Sequence, residues 1–123
     1  MFAGQIRKPD DIPEGDFRKT IPRFSEENFP KNVKLARELE KIAKTKGCTP
    51  AQLAINWVKT QSKKNGNPEI LPIPGASSAE RVEENAKAVL LGGDDLAQID
   101  SILQSFTVVG GRYGAHAAAY IEG

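Results

Sequence analysis

The sequence predicts an α/β fold that has four helices and one short strand and forms a piece of a larger β/α structure. Apolar residues recur with helical periodicity in four stretches between residues 30 and 106. Residues 69–74 are apolar without alternation, as in a strand that is covered on both faces. A single strand leaves backbone donors and acceptors unpaired on both edges. These groups could pair with the rest of a larger β/α structure, with another copy of the chain or with another chain. We favour the rest of a larger structure.

The composition excludes several classes of protein. The 123 residues include 17 basic and 16 acidic side chains, one His and one Cys, and the net charge is +1. One cysteine cannot form an internal disulfide, so we expect a cytoplasmic protein, not a secreted scaffold or a zinc finger, and we expect no metal site. No apolar run approaches the ~18 residues of a membrane helix, and the N-terminus does not resemble a signal peptide. We therefore expect no membrane association.

Charge is distributed unevenly along the chain. Residues 1–64 carry a net charge of +6, and residues 65–123 carry −5. A basic half can indicate a polyanionic partner. Here the lysines are spread around amphipathic helices with acidic residues among them, so we expect a solvated surface and no nucleic-acid partner. We also expect Arg18, Lys19 and Arg23 to contact only solvent.

The N-terminal part of the chain is predicted to be a long loop followed by a helix. Residues 1–30 contain repeated prolines and turn residues and no helical period, so they are expected to be extended and irregular. Residues 31–91 then contain the last helices, the strand and a β/α unit. The first helix should run from about Pro30 to Lys46 and end at Gly47, which favours the left-handed conformation of a helix stop.

The second predicted helix has a strong N-terminal signal. Thr49 is a suitable N-cap, Pro50 occupies the first helical position, and Gln52 occupies the third, which completes a capping box. The helix should continue to about Ser62. Residues 94–123 form the last helix, capped by Asp94 or Asp95, and a tail.

The junction after the predicted strand is a candidate anion site. Gly75 allows close approach of the backbone, and Ser77 and Ser78 are placed to cap a helix that continues to about Val89. The free N–H groups at the start of a helix attract negative charge, and two hydroxyls stand beside them. The sequence therefore predicts an anion-binding turn at residues 75–78.

Four polar side chains of this helix share one face. Ser77 and Arg81 are four residues apart, and Glu84 and Asn85 follow Arg81 by three and four residues. A guanidinium one turn from a helix N-terminus can hold a phosphate through two hydrogen bonds. The alternative is an ordinary capped helix on which Arg81 pairs with Glu84 or Asn85 at the surface.

Three stretches resemble one enzyme family. The sequence from Ile73-Pro74-Gly75 to Arg81-Val82-Glu83-Glu84-Asn85 resembles the last β/α unit of the aldo-keto reductases, and residues 47–57 resemble its G-x-T-P-A-Q-L-A-L-x-W helix. Residues 9–30 and 108–113 are most similar to the fungal pyridoxal-reductase-like branch. The resemblance implies a (β/α)8 TIM barrel. Because such a barrel takes ~250 residues, residues 1–123 would be its C-terminal portion, a single partial domain.

The resemblance also implies a cofactor and a site. The family's stretch holds the adenosine 2′-phosphate and adenine of NADP, and it implies the cofactor-binding residues Gly75, Ala76, Ser77, Arg81, Glu84 and Asn85. Gly75, Ala76 and Ser77 would donate hydrogen bonds to the 2′-phosphate, and Arg81 would pair with the phosphate or stack on the adenine. Glu84 and Asn85 would face the adenine and its ribose. The family often has Ser or Thr at Ala76 and Lys at Ser78, so the preference for NADP over NAD should be weakened.

The implied activity is reduction of aldehydes or ketones to alcohols by hydride transfer from NADPH. The family's catalytic Asp, Tyr, Lys and His lie in the other part of the barrel, so we expect no catalytic residue here and no activity of the chain alone. Tyr113, His116 and Tyr120 have no Lys or Asp nearby in sequence, so we assign them no catalytic role. Two alternatives remain, a truncated non-catalytic nucleotide-binding or interaction module and a helical adaptor unrelated to a cofactor.

Overall fold

The computed structural model describes residues 6–114, which are mainly helical. The four α-helices are α1 (Phe29–Thr45), α2 (Pro50–Thr60), α3 (Ala79–Ala86) and α4 (Gly93–Ser105). Short 3-10 helices occupy Pro9–Asp11, Phe17–Thr20, Pro22–Phe24 and Lys64–Gly66. None of the helices in residues 6–114 is long and apolar enough to cross a lipid bilayer.

The connection between α1 and α2 has the predicted local chemistry. Gly47 follows α1 with a φ of +64°, a left-handed conformation that glycine adopts at little cost. The Thr49 hydroxyl accepts from the Gln52 N–H at 3.2 Å, and the Gln52 side-chain oxygen accepts from the Thr49 N–H at 3.0 Å. The predicted capping box is therefore confirmed, and it starts α2 at Pro50.

Helices α1, α2 and α4 pack around the main hydrophobic core. Its buried members are Ile42, Ala43, Leu53, Leu91 and Ile99. A cavity of about 260 Å³ lies between these three helices and is lined by apolar side chains and Trp57. The Trp57 indole N–H is buried and has no hydrogen-bond partner among the described residues. This core fixes the orientation of α2.

The N-terminal segment packs on the start of α1 and forms three short 3-10 helices instead of extended chain. Ile6, Ile12, Phe29 and Val33 form a second buried cluster. The Arg18 guanidinium donates to the Asp16 carboxylate at 2.6 Å and holds the pKa of that carboxyl at about 2. The buried cluster of Ile6, Ile12, Phe29 and Val33 anchors the N-terminal segment to α1.

The segment after α4 is bound to α1 by a buried amide and to the N-terminal segment by an arginine. Asn32 is 4% exposed, and its side chain donates to the Val109 carbonyl at 2.8 Å and accepts from the Val109 N–H at 2.9 Å. The Arg23 Nε donates to the Gly110 carbonyl at 3.0 Å. The expectation that Arg18, Lys19 and Arg23 contact only solvent is wrong, since all three have protein partners.

The predicted strand is not present in the described part of the chain. Residues 69–74 have no regular secondary structure, and Leu71 and Ile73 are 78% and 94% exposed. A strand exists only with a neighbour to pair with, and residues 6–114 contain no other strand. Pro72 and Pro74 moreover lack N–H groups, which removes two donors from the same edge of this segment. The described fold is therefore helical, and the predicted α/β fold is not seen within it.

Candidate functional site

The predicted anion-binding turn precedes α3 and is exposed. Ser78 is the N-cap of α3, and its hydroxyl accepts from the Arg81 N–H at 3.4 Å. The predicted helix start is confirmed, and of the two serines predicted to cap the helix, Ser78 is the N-cap. The Ser78 hydroxyl also hydrogen-bonds the Glu80 carboxylate and lowers its pKa. Gly75, Ala76 and Ser77 are exposed, so the turn is accessible to a ligand.

Arg81 is paired with an acidic residue of its own helix. Its guanidinium Nη1 donates to the Glu84 carboxylate at 2.9 Å, and both side chains are partly exposed. This is the surface pairing that the sequence offered as the alternative reading of the helix. In the described chain the guanidinium is thus oriented along α3 by Glu84.

Asn85 connects α3 to the turn that precedes it. Its side-chain amide donates to the Gly75 carbonyl at 3.4 Å, a long hydrogen bond. The bond brings two of the predicted site residues together, although they are ten positions apart. α3 ends at Ala86, three residues before the predicted end at Val89.

A cavity of about 310 Å³ lies between the 72–76 segment, α3 and α2. Of the predicted site residues, Ala76 and Asn85 line it; the rest of its lining is Ile55, Lys59, Pro72, Pro74, Val82 and Ala86. Lys59 is an exposed cation that the sequence reasoning did not select, because a lysine in the last turn of a helix is usually explained by the helix dipole. The lining of the cavity is mostly apolar, and Lys59 and Asn85 are its polar side chains.

Two buried amides join α2 to the C-terminal end of α3. The Gln52 Nε2 donates to the Glu84 carbonyl at 3.1 Å, and the Asn56 Nδ2 donates to the Lys87 carbonyl at 3.2 Å. Gln52 and Asn56 are 5% and 6% exposed. Sequence reasoning selected Gln52 only as part of a cap, because bonds that span more than thirty residues leave no local pattern.

The chemistry available around α3 is that of binding. The turn and α3 offer backbone N–H groups, the Ser77 hydroxyl and the Arg81 guanidinium, which are hydrogen-bond donors suited to an anion. Burial raises the pKa of the Cys48 thiol, so it is protonated at neutral pH. Residues 6–114 contain no group of three His, Cys, Asp or Glu side chains that could hold a metal ion. His116 and Tyr120 lie outside the described residues.

Comparison with known proteins identifies the family. The chain is 39% identical to the NADP(+) aldo-keto reductase yakc of Schizosaccharomyces pombe over 98% of its length and 32% identical to the aldo-keto reductase str7 of Strobilurus tenacellus over 99%. It is 38% identical over 92% of its length to a Saccharomyces cerevisiae protein that is provisionally named a pyridoxal reductase. The chain spans 35% of the length of each of these relatives. No solved structure matches it.

The family model agrees with these relatives. Residues 2–104 match the model of the aldo/keto reductase family, which is most of the chain. The matched region includes the turn at residues 75–78 and all of α3. The predicted family and its fungal pyridoxal-reductase-like branch are thus confirmed, and the chain belongs to the aldo/keto reductase family.

Proposed function

We propose that this chain is the C-terminal, cofactor-binding portion of an NADP-dependent aldo-keto reductase that reduces aldehydes or ketones to alcohols. The supporting observation is the exposed turn at residues 75–78, which leads into the Ser78-capped helix α3 inside the region that matches the family. The cofactor is proposed from the name of the Schizosaccharomyces pombe relative, which specifies NADP(+). The single cysteine supports a reducing, cytoplasmic location.

The proposed site holds the adenosine end of the cofactor. Gly75, Ala76 and Ser77 would donate backbone and hydroxyl hydrogens to the 2′-phosphate, which would lie near the positive end of α3. Asn85, which lines the 310 Å³ cavity, would face the adenine or its ribose. The residues present fit such a group, because the exposed turn has backbone N–H groups at the N-terminus of α3 and the neighbouring cavity is lined mostly by apolar side chains.

Arg81 can bind the phosphate while it keeps its bond to Glu84. The guanidinium donates to the Glu84 carboxylate through Nη1 at 2.9 Å, and a guanidinium has five N–H donors. The other nitrogens can form hydrogen bonds to the 2′-phosphate. Glu84, beside Arg81, would face a ribose or adenine donor, as the family resemblance implies.

The proposed reaction needs groups beyond those described. NADPH, when bound, supplies the hydride that reduces the carbonyl carbon. The turn at residues 75–78 would hold the adenosine end of the cofactor, and the residues proposed there bind a phosphate and a nucleoside; protonation of the carbonyl oxygen needs a separate acid at the other end of the cofactor. We therefore propose that the 123 residues bind nucleotide without turnover, and that the family's catalytic Asp, Tyr, Lys and His come from the rest of the enzyme.

The same proposal accounts for the exposed segment at residues 69–74. In a partial (β/α)8 barrel this segment would be a strand paired with strands from the remainder of the barrel. The exposure of Leu71 and Ile73, 78% and 94%, supports the view that these side chains lack their packing partners in the described chain. It also favours the second candidate function, a non-catalytic module that pairs this segment with another copy.

Calorimetric titration with adenosine 2′,5′-bisphosphate tests the proposed site. The wild type should bind, and Arg81→Ala should weaken binding about tenfold or more, since it removes a charged hydrogen-bond donor. Arg37→Ala, which removes an exposed arginine of α1, is the matched control and should bind like the wild type. Equal affinity of the wild type, Arg81→Ala and Arg37→Ala, or no binding by any of them, would contradict the proposed site.

The two candidate functions differ in association. A cofactor-binding portion of a barrel should show nucleotide binding that depends on Arg81 whether the chain is monomeric or not. A module that acts by strand pairing should instead form dimers in sedimentation experiments that Ile73→Asp disrupts, with no dependence of nucleotide binding on Arg81.

A further inference from the structure

α3 carries the proposed site but has little hydrophobic anchorage of its own. It has eight residues, none of them buried. An isolated helix shorter than ~12 residues is marginal in water, so its position must depend on contacts with other elements. Its principal polar contacts are with α2, through the two buried amides described above.

Gln52 has two separate roles within one side chain. Its oxygen accepts from the Thr49 N–H at 3.0 Å, which caps α2, and its Nε2 donates to the Glu84 carbonyl at 3.1 Å, which holds α3. Asn56 supports the same end of α3, since its amide bridges the Gln52 carbonyl at 2.8 Å and the Lys87 carbonyl at 3.2 Å. Each of the two side chains thus donates once to a backbone carbonyl near the end of α3.

Glu84 links this anchor to the guanidinium of the proposed site. Its backbone carbonyl is held by Gln52, and its carboxylate accepts from Arg81 at 2.9 Å. A continuous set of contacts thus runs from the cap of α2, through Gln52 and Glu84, to Arg81. Displacement of the Glu84 backbone would move the carboxylate that orients the guanidinium.

We propose that Gln52 is a positioning residue for nucleotide binding, which acts through Glu84 on the orientation of Arg81. The inference rests on the proposed function, because it concerns the same site. Its physical basis is the loss of a tether between two helices. Without the Gln52 donor, the Glu84 carbonyl keeps only the Lys87 N–H of its own segment, at 3.3 Å, and the bond from Asn56 to Lys87 is the remaining amide bond that holds the end of α3 to α2, so the last turn of α3 is free to move. The entropy of ordering Arg81 would then be paid on binding instead of in the free protein.

Gln52→Glu separates the two roles of this side chain. Glutamate at this position still accepts from the Thr49 N–H, as in a standard capping box, but it cannot donate to the Glu84 carbonyl. Thr49→Ala is the matched control, because it weakens the cap of α2 and leaves the bond to Glu84 intact. Both variants lose stability, so a difference in binding between them reports positioning.

Binding of adenosine 2′,5′-bisphosphate to the full chain, measured by calorimetry with each variant shown folded by circular dichroism, tests the inference. Gln52→Glu should weaken binding about three- to tenfold, and Thr49→Ala less than about twofold. In an Arg81→Ala background, Gln52→Glu should have less than about a twofold effect, because its influence passes through Arg81. Equal effects of Gln52→Glu in the two backgrounds, or equal effects of Gln52→Glu and Thr49→Ala, would overturn the inference.

Further outcomes distinguish this inference from the proposed function. If Gln52→Glu does not fold, Gln52→Met replaces it, since it fills similar volume without a buried charge and also lacks the donor. If the wild type binds, Arg81→Ala weakens binding and neither Gln52 variant does, the site stands and the positioning role is wrong. If the wild type does not bind, the proposed function and the inference are both overturned.

Discussion

Gly110→Ala should detach the segment after α4 from the N-terminal segment. Gly110 has a φ of +83°, and a Cβ there would lie 2.8 Å from the Pro22 carbonyl carbon and 2.9 Å from the Arg23 nitrogen. Real Cβ atoms do not approach other atoms so closely. Because the atoms of Pro22 and Arg23 that would clash belong to the backbone, a change of side-chain rotamer cannot relieve the clash. The variant must therefore lose the contact between residue 110 and residues 22–23.

The size of the effect follows from the bonds at this contact. Detachment loses the Arg23–Gly110 bond and both bonds between Asn32 and Val109, each contributing about 1 kcal/mol. It also leaves the buried Asn32 amide partly unpaired. The free energy of unfolding should therefore fall by about 3–5 kcal/mol. The Val109 N–H should lose its protection from hydrogen exchange at the same time.

Gly47→Ala is the matched control for this experiment. Gly47 also has a positive φ, +64°, but a Cβ there would have no heavy atom within 4 Å. That variant should lose only the cost of the left-handed conformation, about 1–2 kcal/mol. Urea unfolding followed by far-ultraviolet circular dichroism gives both values. Equal losses for the two variants, within about 0.5 kcal/mol, would refute the claim that close backbone approach constrains Gly110.

Three further predictions concern the core, a cap and acid stability. Ile99 is 2% exposed, so Ile99→Ala should lower the free energy of unfolding by about 2–5 kcal/mol. Ile73 is 94% exposed, so Ile73→Ala should change the same quantity by less than about 0.5 kcal/mol. Similar losses of stability for the two variants would contradict the assigned core. Thr49→Ala should cost about 1 kcal/mol in urea unfolding, and an unchanged midpoint would show that the cap of α2 is dispensable. The pKa of Asp16 is about 2 against 3.8 ordinarily, so the unfolded chain takes up its proton first and stability should fall as the pH drops from about 4 towards 2. Asp16→Asn should flatten that part of the profile in urea melts at successive pH values, and an identical slope would contradict the role of the Arg18 pair.

Local chemistry explains the parts of the fold that the sequence predicts well. Gly47 ends α1, and the pair Thr49 and Gln52 starts α2, because caps and left-handed stops involve residues three or four positions apart. The core residue Ile99 follows from the helical period of α4. Within the candidate site, the Arg81–Glu84 pair is of the same local kind.

Long-range pairing explains the parts that the sequence does not predict. The segment 69–74 is apolar like a strand, but the described residues offer it no neighbour, and an extended segment alone gains no ladder of hydrogen bonds. Asn32 and Val109 are 77 residues apart, and Gln52 and Glu84 are 32 apart. Such contacts depend on how the helices pack, and no periodicity or spacing in the sequence records them.

Binding of the adenosine 2′-phosphate at the start of α3 can be measured residue by residue. It is tested most directly by nuclear magnetic resonance, with backbone amide shifts followed while adenosine 2′,5′-bisphosphate is added to the 123-residue chain. Saturable shifts should concentrate at residues 75–85, with Arg81 among them. Shifts that concentrate elsewhere, or none at millimolar ligand, would contradict it.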